Sequence, residues 1–514
     1  MSGIVLSASV RQNLLSLQST AALLATTQND LATGNKVNTA LDNPTEFFTA
    51  AGLNNRASDI GNLLDSIGNG VQVLQAANTG ITSLQSLIAN AQSIANQVLQ
   101  SPVGYSTKSN VTATAIPGAT ANNLLGPPAN NTVTGAAIPG ATATTTKLSA
   151  LTTPITTADS LTIDGKTITF AASGGNTFTS TGETLDLSTA TVGDLLSAID
   201  GITGATTPST LGATKLTLST GTTQPLAIGG AAGTLTALGL TAGTTQLQPP
   251  PLQGQSLTIT PTGGGTATSV VFGTGPGQVS TLNQLNAALA ANNLQASIST
   301  TGQINIVTSN NAASSTIGTI GGTATATSQT FASAAAAAPV ADPTSQATRA
   351  SLVAQYNNVL QQINTTAQDS SFNGINLLNG DTLSLVFDET GASKLSITGV
   401  TLNDAGLGLS TLTTATDFLD SNSANGVLTQ LTAASSTLRS EASSLGSNLS
   451  IVEIRQDFNK NLINVLQTGA SNLTLADPNE EAANSQALST RQSIAVSALA
   501  LANQSQQSVL QLLR

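Results

Sequence analysis

The chain has 514 residues, with 39% hydrophobic content but only 8% charged and 2% aromatic residues, a length that suggests about three domains. It contains no Cys, Trp or His, which excludes a disulfide framework, thiolate or imidazole metal sites, and any catalytic dyad built on Cys or His. A net charge of −11 with only 14 basic residues argues against a nucleic-acid partner and suits a soluble precursor whose copies repel one another. The stretch "MSGIVLSASVRQNLLSL" has no positive region ahead of an apolar core, so no cleavable Sec-type signal is expected. No apolar run reaches the roughly 18–20 residues of a membrane span, so membrane insertion is not expected either.

Residues 1–100 carry a helical pattern. Val10, Leu14, Leu17, Ala21, Leu24, Gln28 and Leu31 step by three and four along one seam, which predicts a packed helix within 1–43. "NTALDNPTEFF" then reads as a break and restart. Asn43 is the expected N-cap, Pro44 the first helical residue, and Glu46 the reciprocal member of a capping box. A second seam over 44–102 runs Ile60, Leu64, Ile67, Val71, Leu74, Asn78, Ile81, then Ile88, Ala91, Ala95 and Val98. A helix of about forty residues is about 60 Å long, more than a compact domain normally uses.

From 103 to 342 the texture changes to Thr, Gly, Ala and Pro with strand-like alternation. "AIPGAT" occurs at 115–120 and again at 137–142, a local duplication. A longer repeat follows. "SLTIDGKTITFAA", "VGDLLSAID" and "KLTLST" give one strand–strand–helix–strand unit, and "SLTITPTGGGTATSVVFG", "LNQLNAALAANN" and "QINIVTS" repeat that order. Two related α+β modules are expected, at about 155–240 and 250–325. "FASAAAAAPVADP" reads as a return linker.

Helical spacing resumes over 343–470 with Leu352, Tyr356, Val359 and Ile363, and "TLSLVFDETGASKLSITGV" at 382–400 alternates like a β-hairpin around "ETGA". The cleanest seam follows: Leu428, Leu431, Ser435, Leu438, Ala442, Leu445, Leu449, Val452, Gln456, Asn459, Ile463 and Leu466. In 471–514, Asp477, Pro478 and Glu480 mark the start of a last helix of about 35 residues, over 50 Å long. It carries two adjacent stripes, Ile494, Ala498, Leu501 and Leu512 beside Ala495, Leu499, Ala502, Val509 and Leu513. Between Glu481 and Arg514 only Arg491 is charged. Uncharged polar groups are buried far more cheaply than charges, so this helix reads as built for burial against copies of itself.

The fold expected is multidomain: a long α-helical coiled-coil or bundle core built from both termini, a β-hairpin, and an inserted β-rich outer region of α+β repeats. The terminal helix finds its first partner at the other end of the chain. Acidic pairs offer no catalysis, because Glu480–Glu481 sit in a helix first turn and Asp388–Glu389 in a hairpin turn. The Gly-rich stretches at 263–265 and 273–277 lack a P-loop Lys, and no Ca²⁺ loop pattern occurs. No catalytic residue, cofactor or metal site is expected, and the chain is not read as an enzyme.

The two ends resemble the bacterial flagellins. The resemblance rests on "LATGNKVNTALDNPTEFFTAAGLNNRASDI" near the start, "QYNNVLQQINTTAQDSSFNGINLLNG" in the second half, and the ending "SALALANQSQQSVLQLLR". The repeats at 160–310 also resemble a motif inside some flagellins and hook-associated proteins. This resemblance implies a structural subunit that self-polymerises into the flagellar filament. It implies export through the flagellum's own type III-like apparatus without a cleavable signal peptide, an export chaperone and a cap protein as partners, and an extracellular location.

Filament-core packing would then fall to Val10, Leu14, Leu17, Leu24, Leu31, Ile494, Ala498, Leu501, Val509, Leu512 and Leu513. Inner-tube packing would fall to Ile67, Val71, Leu74, Ile81, Leu438, Leu445, Leu449 and Val452. A hook–filament junction protein of the same family is the alternative, and a surface adhesin with helical anchors is another. The family's epitope for toll-like receptor five resembles "AQSIANQ" at 91–97, but Ser93 and Ala95 stand where arginines are usual and Asn96 where an acid is usual. Weak or absent receptor activation is therefore expected, since the forked guanidinium donors are gone.

Overall fold

A computed structural model describes residues 8–179 and 182–512, the side chains of 509–512 excepted. The helices are α1 (Ala8–Thr33), α2 (Pro44–Gln100), α3 (Val192–Thr203), α4 (Ala232–Ala237), α5 (Leu282–Ala290), α6 (Pro343–Asp369), α7 (Ser421–Thr474) and α8 (Pro478–Leu512). Between α2 and α3 run β1 (Tyr105–Thr107), β2 (Asn110–Thr112), β3 (Thr132–Ala137), β4 (Ser160–Ile163), β5 (Lys166–Ala171), β6 (Thr177–Phe178) and β7 (Gly182–Asp186). Strands β8 (Thr210–Gly212), β9 (Lys215–Ser219), β10 (Leu226–Gly230) and β11 (Gly243–Thr245) flank α4. Strands β12 (Ser256–Ile259), β13 (Thr268–Val271), β14 (Leu294–Ile298), β15 (Ile304–Thr308), β16 (Ile320–Gly321) and β17 (Val340–Ala341) precede α6. A hairpin of β18 (Thr382–Val386) and β19 (Lys394–Thr398) separates α6 from α7. Two compact units result, one of residues through Ser93, Tyr356–Thr411 and from Thr429 onward, the other of Ile94–Gln355 and Leu412–Leu428.

In the helical unit, local chemistry sets the helix starts where the sequence places them. Asn43 Oδ1 accepts the Glu46 N–H at 3.2 Å, and Asp477 Oδ1 accepts the Asn479 N–H at 2.9 Å. Each cap precedes a proline whose missing N–H costs nothing in the first turn. α2 has 57 residues, longer than the forty expected, and is about 85 Å long at the standard rise. It stops just before Pro102, which disfavours helical geometry at the residue before it.

α7 shows every predicted seam residue buried or half-buried. Leu431, Leu438, Leu445, Val452, Asn459 and Leu466 recur every seventh position and are all buried, the period of a coiled-coil seam. Its partner is α2, running antiparallel: Leu53, Ala57 and Ile60 pack with Leu462, Ile463 and Leu466. Asn459, polar within an apolar line, donates from Nδ2 to the Phe387 carbonyl at 2.9 Å, so its burial leaves no orphan amide.

α2 departs from expectation in one respect. Ile60, Ile67, Leu74, Ile81 and Ile88 form the buried line, but its companion is Gly70, Ala77, Leu84 and Ala91. Val71 is only half-buried and Asn78 is exposed. The small residues occupy the seam because the hairpin comes close there: a Cβ at Gly70 would lie 2.5 Å from Leu385 Cδ2.

In the β-rich unit the two α+β modules are nested, not tandem. The first comprises β3–β9–β8 and the larger sheet β11–β10–β4–β5–β7–β6, with α3 and α4. The second comprises β2–β15–β14 and β13–β12–β16 with α5. Each has its own apolar core. Ile138, Leu161, Leu195, Ile199 and Leu218 lie in one, and Val111, Ile116, Leu124, Leu252, Leu285 and Leu289 in the other. The second module thus begins before the first and closes after it. "FASAAAAAPVADP" is no free linker either, since Phe331 belongs to the second core and the Ala337 N–H bonds the Asn110 carbonyl at 2.9 Å.

Tyr356, on α6 in the helical unit, has no exposed surface, and burial pushes its hydroxyl up to about 12 with a smaller push from Asp404. A raised acid keeps its full stabilising contribution below the unfolded pKa of 10.0 and loses it as pH climbs through the folded value. We expect alkaline unfolding of the helical unit to set in between pH 10 and about 12, and Tyr356→Phe to weaken this dependence. Circular dichroism with tyrosinate absorbance checks this; identical alkaline profiles for both proteins would count against it.

Candidate self-assembly surface

The surface that needs a partner lies on the pairing of the two end helices. α1 and α8 pack against each other within the helical unit. Antiparallel alignment is set at the shared end, where the Lys36 N–H bonds the Thr474 carbonyl at 2.7 Å and the Ala476 N–H bonds the Gly34 carbonyl at 3.0 Å. The covered side of α1 is Val10, Thr20, Thr27 and Asp30, with Asn13, Leu17 and Leu24 half-buried. On α8 the covered side is Ser485, Leu488, Gln492, Ala495, Leu499, Ala502 and Gln506, again at heptad spacing. Both covered faces mix polar and apolar residues.

Other large apolar side chains point into solvent. Leu14, Leu15, Leu23 and Leu31 of α1 are exposed, Leu15 to 66%. So are Ile494 at 64%, Val496, and Leu501 at 70% on α8. Of the two predicted stripes on the last helix, the one through Ala495, Leu499 and Ala502 meets α1, while Ile494, Ala498 and Leu501 stay in solvent. Leu513 lies outside the described residues, as do the side chains of Val509 and Leu512. α7 adds an exposed row of Ile451, Ile454, Phe458 and Val465 on the side away from its seam. So many uncovered large apolar side chains on three helices of one unit make this the candidate interaction surface.

Of the expected inner-seam residues, Ile67, Leu74, Ile81, Leu438, Leu445 and Val452 are buried, and Val71 and Leu449 half-buried. Ser93 and Asn96 are exposed, whereas Ala95 is fully buried. The Asp388–Glu389 pair has a structural role. Asp388 accepts from Thr390 Oγ1 at 2.6 Å and from the Ser393 N–H at 2.9 Å, and Glu389 pairs with Arg56 at 2.7 Å.

Two charged positions escaped sequence reading. Asp30 is buried at the C-terminal end of α1, accepting from Asn38 Nδ2 at 3.3 Å. Burial, and then Asp42, holds its carboxyl above the usual range. Arg349, on α6 in the β-rich unit, is the largest fully buried side chain described. Its guanidinium donates to the carbonyls of Val98 at 3.0 Å, Ser101 at 2.9 Å and Pro102 at 2.7 Å, and to that of Phe418. It therefore caps the end of α2 and ties it to the segment entering α7. Burial lowers its pKa, and Asp420 opposes that shift. Five fixed donors suit this fork, which no ammonium reproduces.

Terminal helices paired with each other, with a β-rich region inserted between them in sequence, define a class of proteins whose two chain ends jointly build one helical core. The model of the bacterial flagellin N-terminal helical region matches residues 6–114, and that of the C-terminal helical region matches 428–513. Flagellin FljJ of Caulobacter vibrioides is 32% identical over 169 residues, covering 32% of this chain and 61% of the relative. Flagellin FljM of the same organism is 32% identical over 164 residues, covering 32% of this chain and 59% of the relative. Flagellin A of Rhizobium meliloti is 36% identical over 90 residues, covering 18% of this chain and 23% of the relative. The chain spans about three fifths of the length of the Caulobacter relatives it matches. Both of its terminal helical regions are thus similar to those of the bacterial flagellins.

Two substitutions separate assembly from folding. Leu501→Lys alters an exposed position, so the protomer's stability should change by no more than about 0.5 kcal/mol, whereas burying the ammonium between copies costs several kcal/mol. Thermal melts unchanged from wild type, with loss of sedimentable polymer, are the expected pair of results. Arg349→Met should destabilise the β-rich unit by about 3 kcal/mol or more, because buried carbonyls lose their donors. Urea unfolding checks this, and Arg349→Lys should recover only part of the loss.

Proposed function

We propose that the chain is a structural subunit that polymerises into the bacterial flagellar filament, with neighbouring copies covering the end helices. The observation that carries this reading is the set of large aliphatic side chains that the α1–α8 pair leaves in solvent. Its internal seam mixes Val10, Leu17, Leu24 and Leu499 with Thr20, Thr27, Asp30 and Gln492, while Leu15, Leu23, Ile494 and Leu501 face water. A helix pair with that distribution gains by association, since each large aliphatic side chain removed from water contributes roughly 1.5–3 kcal/mol. The near absence of charge on α8 removes the main penalty for burying it.

The similarity of both end regions to those of the flagellins supports the same reading, as does the likeness to flagellin FljJ of Caulobacter vibrioides. On this reading the role is structural and not enzymatic. Export proceeds without a cleavable signal peptide to an extracellular filament, and an export chaperone and a cap protein serve as transient partners. Replacement of arginines by Ser93 and Ala95, with Ala95 turned inward, supports weak activation of toll-like receptor five.

Removal of residues 493–514 should leave the β-rich modules folded and abolish polymerisation. Electron microscopy of the truncated chain checks this; filaments of ordinary length from it would refute assembly through α8. A cell reporter assay on purified monomer should give little response at a receptor that recognises the usual epitope, and a full response would refute the receptor reading.

A further inference from the structure

Among the described residues, the most exposed large apolar side chain is not on a helix. Leu41, in the segment joining α1 to α2, is 94% exposed. The turn that carries it is held from within. The Asp42 carboxylate accepts the Asn38 N–H at 3.0 Å, the Thr39 N–H at 2.7 Å and the Thr39 hydroxyl at 3.1 Å. The Asp42 N–H closes the turn on the Thr39 carbonyl at 3.1 Å. The backbone donors of Thr39 and then Asn38 hold the Asp42 carboxyl below its usual range. An apolar side chain displayed on a pre-organised turn loses little freedom on binding, which is the character of an interface anchor.

The same helical unit carries a groove of matching chemistry. It measures about 350 Å³ and lies between α2 and the hairpin, with Leu63, Val73, Ile375 and Leu385 in its walls and Ser384 and Val386 along one side. β18 pairs only with β19. The Phe387 N–H bonds the Ser393 carbonyl, and the Gly399 N–H bonds that of Asp381, both at 2.8 Å. Bonded and non-bonded pairs alternate along an antiparallel ladder, so the odd-numbered residues of β18 bond β19. The backbone groups of Ser384 and Val386 therefore point out from its free edge. An edge of this kind accepts further backbone.

A helix keeps its backbone groups bonded internally, so the exposed rows of α1, α7 and α8 offer apolar contact but nothing for a strand edge. The Leu41 turn offers both. Its Ala40 N–H, Ala40 carbonyl and Leu41 carbonyl make no hydrogen bond among the described residues. A chain cannot fill its own groove in this way. From Pro44 to Gly70, which lines the groove, α2 is unbroken helix for about 40 Å and holds turn and groove apart.

We propose that the Leu41 turn of one copy seats in the α2–β18 groove of the next copy. Leu41 enters against Val73 and Leu385, and the free backbone groups of the turn meet those of Ser384 and Val386. This contact rests on the reading of the chain as a polymerising subunit and names one of the interfaces that reading requires. Turn and groove are different surfaces, so the contact is head-to-tail. Contacts of that kind generate open helical polymers whenever the rotation between copies does not close a ring. Parallel copies joined in this way are displaced by about 40 Å along α2.

Cysteine cross-linking tests the contact, because the chain has no cysteine of its own. Leu41→Cys and Ser384→Cys both replace exposed residues, so neither should shift the thermal melt. Polymer grown from an equal mixture of the two variants should give disulfide-linked dimers on oxidation. Polymer of either variant alone should give none, nor should the dissociated mixture at the same concentration. A chain carrying both substitutions should give a ladder of longer products. Leu41→Ala should raise the critical concentration for polymerisation roughly tenfold or more. Polymer that forms but yields no mixed dimer, or Leu41→Ala chains that polymerise at the wild-type concentration, would overturn the proposal. Wild-type chains that form no polymer would overturn the filament reading and this contact with it.

Discussion

Apolar helix surface is driven out of water, and in this chain the long helices α2 and α7 bury a seam while the end helices and the outer side of α7 leave large apolar side chains exposed. Along α7, a residue every seventh position from Leu431 to Leu466 is buried, and near its C-terminal end the antiparallel α2 supplies Leu53, Ala57 and Ile60 as facing residues. The same rule applied to α1 and α8 leaves Leu14, Leu15, Leu23, Leu31, Ile494, Val496 and Leu501 exposed. Seven such side chains represent on the order of 10 kcal/mol of gross burial energy, before the costs of ordering and association are subtracted. That is the physical reason for reading the chain as one part of a larger assembly.

Restraint from charge complements this. An ordinary exposed helix carries Lys and Glu on its outer side, and α8 beyond its acidic first turn carries only Arg491 within the described residues. Charge is used instead where it solves a local problem. Arg349 satisfies the carbonyls left at the end of α2, and Arg56 pairs with Glu389 on the hairpin. The exposed pair contributes little by itself. Arg349 matters more, because its burial is compensated by four backbone acceptors rather than by one partner.

Much of this was legible in the sequence because periodicity and caps are local. The α7 seam, the caps at Asn43 and Asp477, and the hairpin around "ETGA" depend on residues close together in the chain. What escaped depends on tertiary context. Gly70 and Ala77 displace Val71 and Asn78 from the α2 seam because the hairpin needs room, which a hydrophobicity pattern does not register. Thr20 and Thr27 occupy the covered side of α1 because α8 offers small and polar partners there; Thr20 satisfies its hydroxyl on the Ser16 carbonyl of its own helix.

Nesting of the β modules was hidden for a related reason. The two AIPGAT segments stand close in sequence and read as a local duplication, yet their strands pair with β15 and β9, far along the chain. Arg349 carried no signal at all, since its four acceptors are backbone groups from two segments far from it in the chain. Burial of a lone arginine becomes intelligible only when the helix end it caps is seen.

Coverage of the end helices by other copies is tested most directly by hydroxyl-radical footprinting of the same preparation before and after polymerisation. Leu15, Leu23, Ile494 and Leu501 should be modified readily in the monomer and strongly protected in the polymer, while Phe178, exposed on β6, serves as a reference in the inserted region. Equal modification of the four helix residues in both states would contradict assembly through these helices.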